Sequence, residues 1–593
     1  MADEGIVTYL VKVEGKQIPD EYEISSLEIN QQVNSISSAV ITLKEEYSVN
    51  KKYPASASDL FIPGKKLSIE AGYSNQTESI FSGIVVSQSI SLDSEEGTML
   101  TVQCKDPAVL MAAARKNGTF QKIKDSAAIS KIIGNYSGLT ASVSETSVEV
   151  PLLQQYYCSD WDFIVTRAEA NGLIVVNENG KVSAIKPDAD TTSVATVDAE
   201  GDLLELSADL NSIGQVASMK ASAWDPESQK VIESESEPAG TGPGNLSSKD
   251  IADAVGSKDP GLLTMSQVSS DDLKSWSAAR MVKCTYSKVN ATAVTHGNPK
   301  LKVGCYLTLG GTGARFDGDH LISAVTHSIE DGTWTSKVEL GLSAEWFTET
   351  RRDISAPAAS GLLPGIGGLC SAVVKQIHDD PDNGFRIMIN LPMFNTDDDG
   401  IWARLIQDYA SDGAGFFFYP EVGDEVVVGF LNNDPCFPVV LGGVYSGKHK
   451  PQSDLTPDEK NSKKAVVTKA GLTLLFNDED KVVTVKTPGN NSVVLDDKNK
   501  KVAIEDQNGN SLVMGDSGIT IKSSKNITLQ AEQKVSLKGD QGVSQEASGG
   551  DVAIKGMNVK QSADAELSLE GSATAKIQGG TELSLKGAMV MIN

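Results

Sequence analysis

Apolar and polar residues alternate in short runs through the first 350 positions, as in Ile6–Val13, Ala39–Leu43 and Thr98–Gln103. Period-two alternation puts one face of each run inward, so these segments are expected to be half-buried strands. One helix stands out. Trp161, Ile164, Val165 and Ala168 fall at helical spacing, Ser159 with Asp162 resembles a capping box, and Gly172 suits the stop. From about 227 to 270 the chain is rich in Ser, Glu, Gly and Pro and reads as too polar to pack, hence a surface excursion or flexible loop. The Pro- and Gly-rich run Ile354–Gly368 ends the front region, residues 1–355, with a linker taken as 356–370.

Five β-type runs follow: Ala372–Ile377, Arg386–Leu391, Trp402–Ile406, Glu425–Leu431 and Val439–Val444. Five strands between Gly, Pro, Asn and Asp turns predict a small closed barrel of the OB type over 371–445. After a second linker, 446–464, a repeat emerges over 465–593, clearest in Ile519-Thr-Ile-Lys, Ile527-Thr-Leu-Gln, Val535-Ser-Leu-Lys, Leu567-Ser-Leu-Glu and Leu583-Ser-Leu-Lys. Their starts lie eight residues or multiples of eight apart, with a one-residue slip near Asp551. An octad suits one strand plus a tight turn, as in a β-helix. Each octad has only about two apolar side chains to bury, so wrapping identical chains around a threefold axis is the economical solution. A single-chain solenoid is the alternative. The fold class expected overall is mainly β: a front region of β-barrel type with a few helices, an OB-type barrel, and a C-terminal trimeric triangular β-helix.

Charge separates the same parts. The chain of 593 residues has 52 Lys plus Arg against 79 Asp plus Glu, a net charge of −27, of which the stretch from Pro451 to Asn593 holds only −2. The acidic front disfavours a surface built to neutralise phosphates, so no nucleic-acid partner is expected. Of 33 aromatic residues the last 143 positions hold one, Phe476. The six cysteines, Cys104, Cys158, Cys284, Cys305, Cys370 and Cys436, include no C-x-x-C pair and read as buried reduced thiols. Met1–Val13 lacks a basic and then apolar leader, and no run of 18 apolar residues occurs, which predicts synthesis in the cytoplasm without a signal peptide.

Candidate chemistry is thin. Asn395-Thr-Asp397-Asp-Asp399-Gly400 opens like a calcium loop, but Ile406 stands where a bidentate Glu is needed, so an acidic turn is the better reading. Gly240–Gly244 and Gly310–Gly313 lack the Lys-Ser/Thr or G-x-G-x-x-G context of phosphate loops. The five histidines, His296, His320, His327, His378 and His449, form no H-E-x-x-H pair, and no G-x-S-x-G elbow occurs. Solvated or locally bonded histidines are the default reading. No catalytic residue, cofactor or metal ligand is assigned, and the octad tail, without His, Cys, Trp or Tyr, reads as architecture.

Four separated segments resemble the VgrG-type spike proteins of contractile injection systems, which include type VI secretion, extracellular injection particles and phage-tail hubs. They are Ile80–Val85; Gln155–Phe163 continuing to Arg167–Leu173, with Cys158 where Glu is common; Trp402–Arg404 with Tyr419–Val428, Gly429–Pro435 and Pro438–Tyr445; and Gly587–Asn593. The third carries the most specific pattern, P-x-x-G-D-E-V-x-V.

The resemblance implies a homotrimer whose hub, residues 1–355, continues the inner tube and baseplate. The barrels form a collar, and the octads form a needle driven through a target membrane by sheath contraction. Only 446–464 separates barrel from needle, too short for a folded enzyme, and no His follows His449 to hold a tip metal. A separate PAAR-like tip protein on Met589, Val590, Met591, Ile592 and Asn593, cargo effectors, and release as part of an injection particle complete the implied picture. An envelope-degrading hydrolase and a glycan-binding tailspike or adhesin are the competing classes.

Overall fold

The computed structural model describes residues 5–47, 53–95, 97–238, 240, 242–256, 261–394 and 400–592. The chain divides into two units, 1–444 and 445–593.

In the first unit, thirteen strands form one hydrogen-bonded sheet. Its path runs from Leu203–Leu210 through Val289–His296, Thr333–Leu340, Gly318–Glu330, Glu23–Gln32, Ser38–Glu45, Gly97–Lys105, Gln76–Asp93, Lys66–Tyr73 and Val7–Val13 to Lys16–Gln17. Ser193–Asp198 and Tyr306–Gly310 join it beside Gly318–Glu330. The alternation read from the sequence is what the sheet uses: in Ser38–Glu45 the side chains of Ala39, Ile41 and Leu43 point inward and are fully covered. The sheet passes through two separate cores, one around Ile29, Ile41, Phe61, Ile69 and Trp334, the other around Ala293, Ile322, Val325 and Val338.

A third core gathers on helices Asp125–Gly134 and Asp160–Glu169, through Ile129, Ile133, Trp161 and Ile164. The second is the helix expected from Ser159. The Ser159 hydroxyl accepts the Asp162 amide at 3.1 Å, and Gly172 turns the chain out with φ +69°.

The polar stretch 227–270 is not an unstructured loop. Strands Met219–Asp225, Lys230–Ser236 and Leu262–Thr264 form a small sheet against helix Ser270–Ser287, preceded by the short helix Ser248–Val255. Ala221, Ala223, Ile232, Leu262, Leu273 and Trp276 pack between them. Composition misleads here because the Ser and Asp residues do specific work. Ser247 with Asp250 and Ser269 with Asp272 are reciprocal capping boxes, and the Ser-Glu alternation of residues 233–236 is an edge strand.

Cys370–Gln376, Ile387–Asn390, Ile401–Leu405, Pro438–Gly443 and Glu425–Phe430 close into a five-stranded barrel, each strand within two residues of its expected bounds. Val374, Ile387, Ile389, Ala403, Val426, Val428 and Val440 fill it.

In the second unit seven strands form an antiparallel meander, starting at Lys463, Thr473, Val482, Ser492, Lys501, Ser511 and Gly518. The first six starts are nine or ten residues apart, so the octad register does not govern this part. Five-residue strands joined by four- or five-residue Asp/Asn/Gly turns set the longer spacing. Asp496 with Asn499 and Asp506 with Asn510 brace two of those turns. From 524 to 592, where the octads are regular, the described residues contain no strand and every side chain is exposed.

Candidate functional site

The registry of the meander generates its main surface. Each antiparallel pairing places Val466, Leu474, Val485, Val493, Ile504, Leu512 and Ile521 opposite one another in a continuous row. Two residues along each strand, hence on the same face, a second row contains Phe476, Val483, Leu495, Val502, Met514 and Ile519. Thirteen apolar side chains thus line one face, and many of them stay open to solvent: Val485 is 49% exposed, Leu495 47%, Ile504 45% and Ile521 58%. A face of this size marks a protein contact. The same i, i+2 pairing continues in exposed Ile527 with Leu529, Val535 with Leu537, Leu567 with Leu569 and Leu583 with Leu585. Searching for a period of eight hides this surface. The signal for it is the apolar pair on every strand of a nine- to ten-residue repeat.

Met589, Val590, Met591 and Ile592 are all exposed, and Asn593 lies outside the described residues.

The segment Gln155–Leu173 is a brace. The Gln155 amide donates to Asp160 at 2.8 Å, and Asp160 also receives Lys116 Nζ at 2.9 Å and the Tyr136 hydroxyl at 2.6 Å. Burial pushes the Asp160 carboxyl up, but the bonds from Tyr136, Lys116 and Gln155 outweigh it and hold the group below its ordinary range. Arg167 grips Asp125 with two bonds, 2.7 and 2.8 Å.

The other sequence candidates are dispersed. His320 is buried with Nε2 on the Phe316 carbonyl at 2.6 Å, and His327 is buried with Nδ1 on the Ser336 hydroxyl at 2.8 Å. Exposed His378 contacts its neighbour Asp379. The calcium-like loop falls at 395–399, outside the described residues. Gly244 and Gly311 are turn glycines with positive φ; a Cβ on Gly244 would meet the Arg315 carbonyl oxygen at 2.3 Å. Cys104, Cys158 and Cys284 are buried, and burial pushes the Cys104 thiol up to about 12. Cys436, by contrast, is exposed. Among the described residues no three His, Cys, Asp or Glu side chains gather to hold a metal, and no helix is long and apolar enough to cross a membrane.

Comparison with known families follows the same division. Residues 370–445 match the type VI secretion system/phage-baseplate injector OB domain, and residues 482–542 match the phage baseplate V C-terminal trimerisation domain. The chain is a spike protein of the VgrG type. It belongs to the family of the Alg8 N-terminal domain, whose model matches residues 3–331, more than half of its length.

Among curated proteins it is similar to the type VI secretion system spike protein VgrG3 of Vibrio cholerae, 29% identical over 133 residues, covering 22% of this chain and 13% of that protein. VgrG4b of Pseudomonas aeruginosa is 32% identical over 106 residues, covering 17% of this chain and 13% of that one. A solved 43 kDa tail protein of prophage MuSo2 from Shewanella oneidensis aligns with TM-score 0.44 at 12% identity, over 57% of this chain and 98% of its own.

Proposed function

We propose that three copies of this chain form the central spike of a contractile injection machine. The hub joins the inner tube and baseplate, and the C-terminal region is the needle that enters the target envelope. The observation that carries this reading is the two-row apolar face of the meander, continued by the exposed octad pairs. One chain leaves those side chains in water, whereas three chains about an axis bury them against each other and give the octad backbones strand partners. The work of such a particle is mechanical and requires no catalytic residue of its own.

Made in the bacterial cytoplasm, the protein reaches the outside within the particle. A PAAR-like tip protein sits on residues 589–593, and cargo effectors travel with it. Light scattering on the purified chain tests the trimer: a folded sample near the protomer mass of 62.7 kDa contradicts it, and three times that mass is expected. Deleting residues 589–593 is expected to abolish tip-protein binding while leaving the trimer intact, and unchanged binding refutes the tip assignment.

A further inference from the structure

We propose that neighbouring copies of the barrel meet through one aromatic arm, residues 409–419, which carries two different contact faces and joins copies head to tail around the threefold axis. The proposal deepens the trimer reading above and rests on it.

The arm is a short hairpin of Ala410–Ser411 and Ala414–Gly415, closed by the Phe416 amide donating to the Tyr409 carbonyl at 2.9 Å. It continues as Phe416-Phe417-Phe418-Tyr419. Alternation along an extended segment sends 416 and 418 to one side and 417 and 419 to the other, and the rings pair accordingly. The centroids of Phe416 and Phe418 are 6.3 Å apart, those of Phe417 and Tyr419 4.8 Å. The three phenylalanines are 54%, 76% and 57% exposed.

The second side extends to Phe385, whose carbonyl accepts the Tyr419 hydroxyl at 2.8 Å. Phe385 is 77% exposed and its backbone is left-handed, φ +56°. That conformation is disfavoured for a non-glycine residue and is kept where something else enforces it. Here Asp380 enforces it, accepting the amides of Gly384 at 2.8 Å and Arg386 at 3.1 Å and the Arg386 guanidinium at 2.6 Å. The molecule spends strain to present an apolar ring to the outside.

Three points commit the arm to a second copy of this chain. A twofold dimer needs one self-complementary patch, whereas a closed ring of three needs two different patches per copy, one for each neighbour. The arm has two. From Gly443 the chain reaches the apolar meander at Lys463 through residues 444–462, so copies joined there hold their barrels at high effective concentration. Finally, phenylalanine rings among Asp408, Asp412 and Glu421 suit a dry protein contact and repel a polyanion.

The test uses full-length chains carrying Cys436→Ser. One version adds Phe385→Cys, another of different tag size adds Phe418→Cys, and the two are co-expressed and treated with a short bismaleimide. Mixed trimers are expected to give a cross-linked pair of unequal chains, roughly tenfold above the equal-chain pair from either version alone. A trimeric mass with no excess of the mixed pair overturns the proposal and leaves the trimer standing. A monomeric mass overturns both. Hydrogen exchange on the unsubstituted chain is independent of these changes. Amides 409–419 are expected to exchange about tenfold more slowly than in the chain held monomeric by Ile504→Asp, and equal rates overturn the proposal.

Discussion

Glu169 and Lys283 form a buried ion pair, Oε1 to Nζ 2.7 Å, with side chains only 7% and 11% exposed. It pins helix Ser270–Ser287, which packs on the small sheet of Met219–Asp225 and Lys230–Ser236, onto helix Asp160–Glu169. Glu169 is otherwise satisfied by the Phe347 amide at 2.7 Å and the Asn34 amide at 3.1 Å. Truncating one partner leaves the other charge buried, so Glu169→Ala is expected to cost the hub about 3–5 kcal/mol in denaturant unfolding. Adding Lys283→Met to that variant is expected to restore a large part of the loss. Equal unfolding midpoints for the single and double variants would contradict this.

His327 makes the stability of the first unit depend on pH. Burial depresses its folded-state value from 6.5 to about 4, with only a hydrogen bond to the Leu301 backbone opposing. As pH falls the unfolded chain therefore takes up this proton first. The contribution is complete above 6.5 and is lost between there and about 4, on the order of 3 kcal/mol in all. Comparing unfolding free energies of the native chain and His327→Gln across that window is expected to show a shallower acid limb in the variant.

Gly297 lies against Trp334, the largest side chain in the hub core. A Cβ at 297 would stand 1.9 Å from one indole carbon and 2.1 Å from another, while the Gly297 amide donates to the Trp334 carbonyl at 2.9 Å. Neither element can retreat without breaking the strand pairing beside it. Gly297→Ala is expected to destabilise the first unit by about 1–3 kcal/mol, read as a lower melting temperature with the meander unaffected.

Faces of the meander are expected to respond differently to charge. Ile504→Asp, in the apolar row, should abolish the trimer in light scattering. Ser511→Asp, on the other face, should leave the mass unchanged. Loss of the trimer in both variants would mean that the rows are not the contact.

The barrel was legible in the sequence because each of its strands pairs period-two alternation with Gly, Asp or Pro at both ends, and so was the helix that Ser159 caps. The polar stretch 227–270 was not. Most of its buried core comes from outside the polar stretch, from Met219, Ala221, Ala223, Leu273 and Met281, while Ser247 and Ser269, which suggested disorder, are helix caps. The apolar rows of the meander were visible as letters but not as a face, since only strand pairing shows that Phe476 and Met514 share a side. The left-handed backbone of Phe385 had no signal at all, because phenylalanine is the last residue one would place there.

The change of spacing near Ile519 has a consequence for how three chains find their alignment. The octads that follow directly, from Ile519 to Gly542, are alike enough that a chain displaced by one octad still sets Ile527 against Ile519 or Val535 and Leu529 against Ile521 or Leu537, and that stretch cannot tell the difference. The meander can. Its strands pair with their immediate neighbours in sequence and form within one chain, and its rows carry one-off side chains, Phe476 and Met514, that fit their counterparts at a single offset. In the trimer the meander acts as the key that is turned before the zip is drawn.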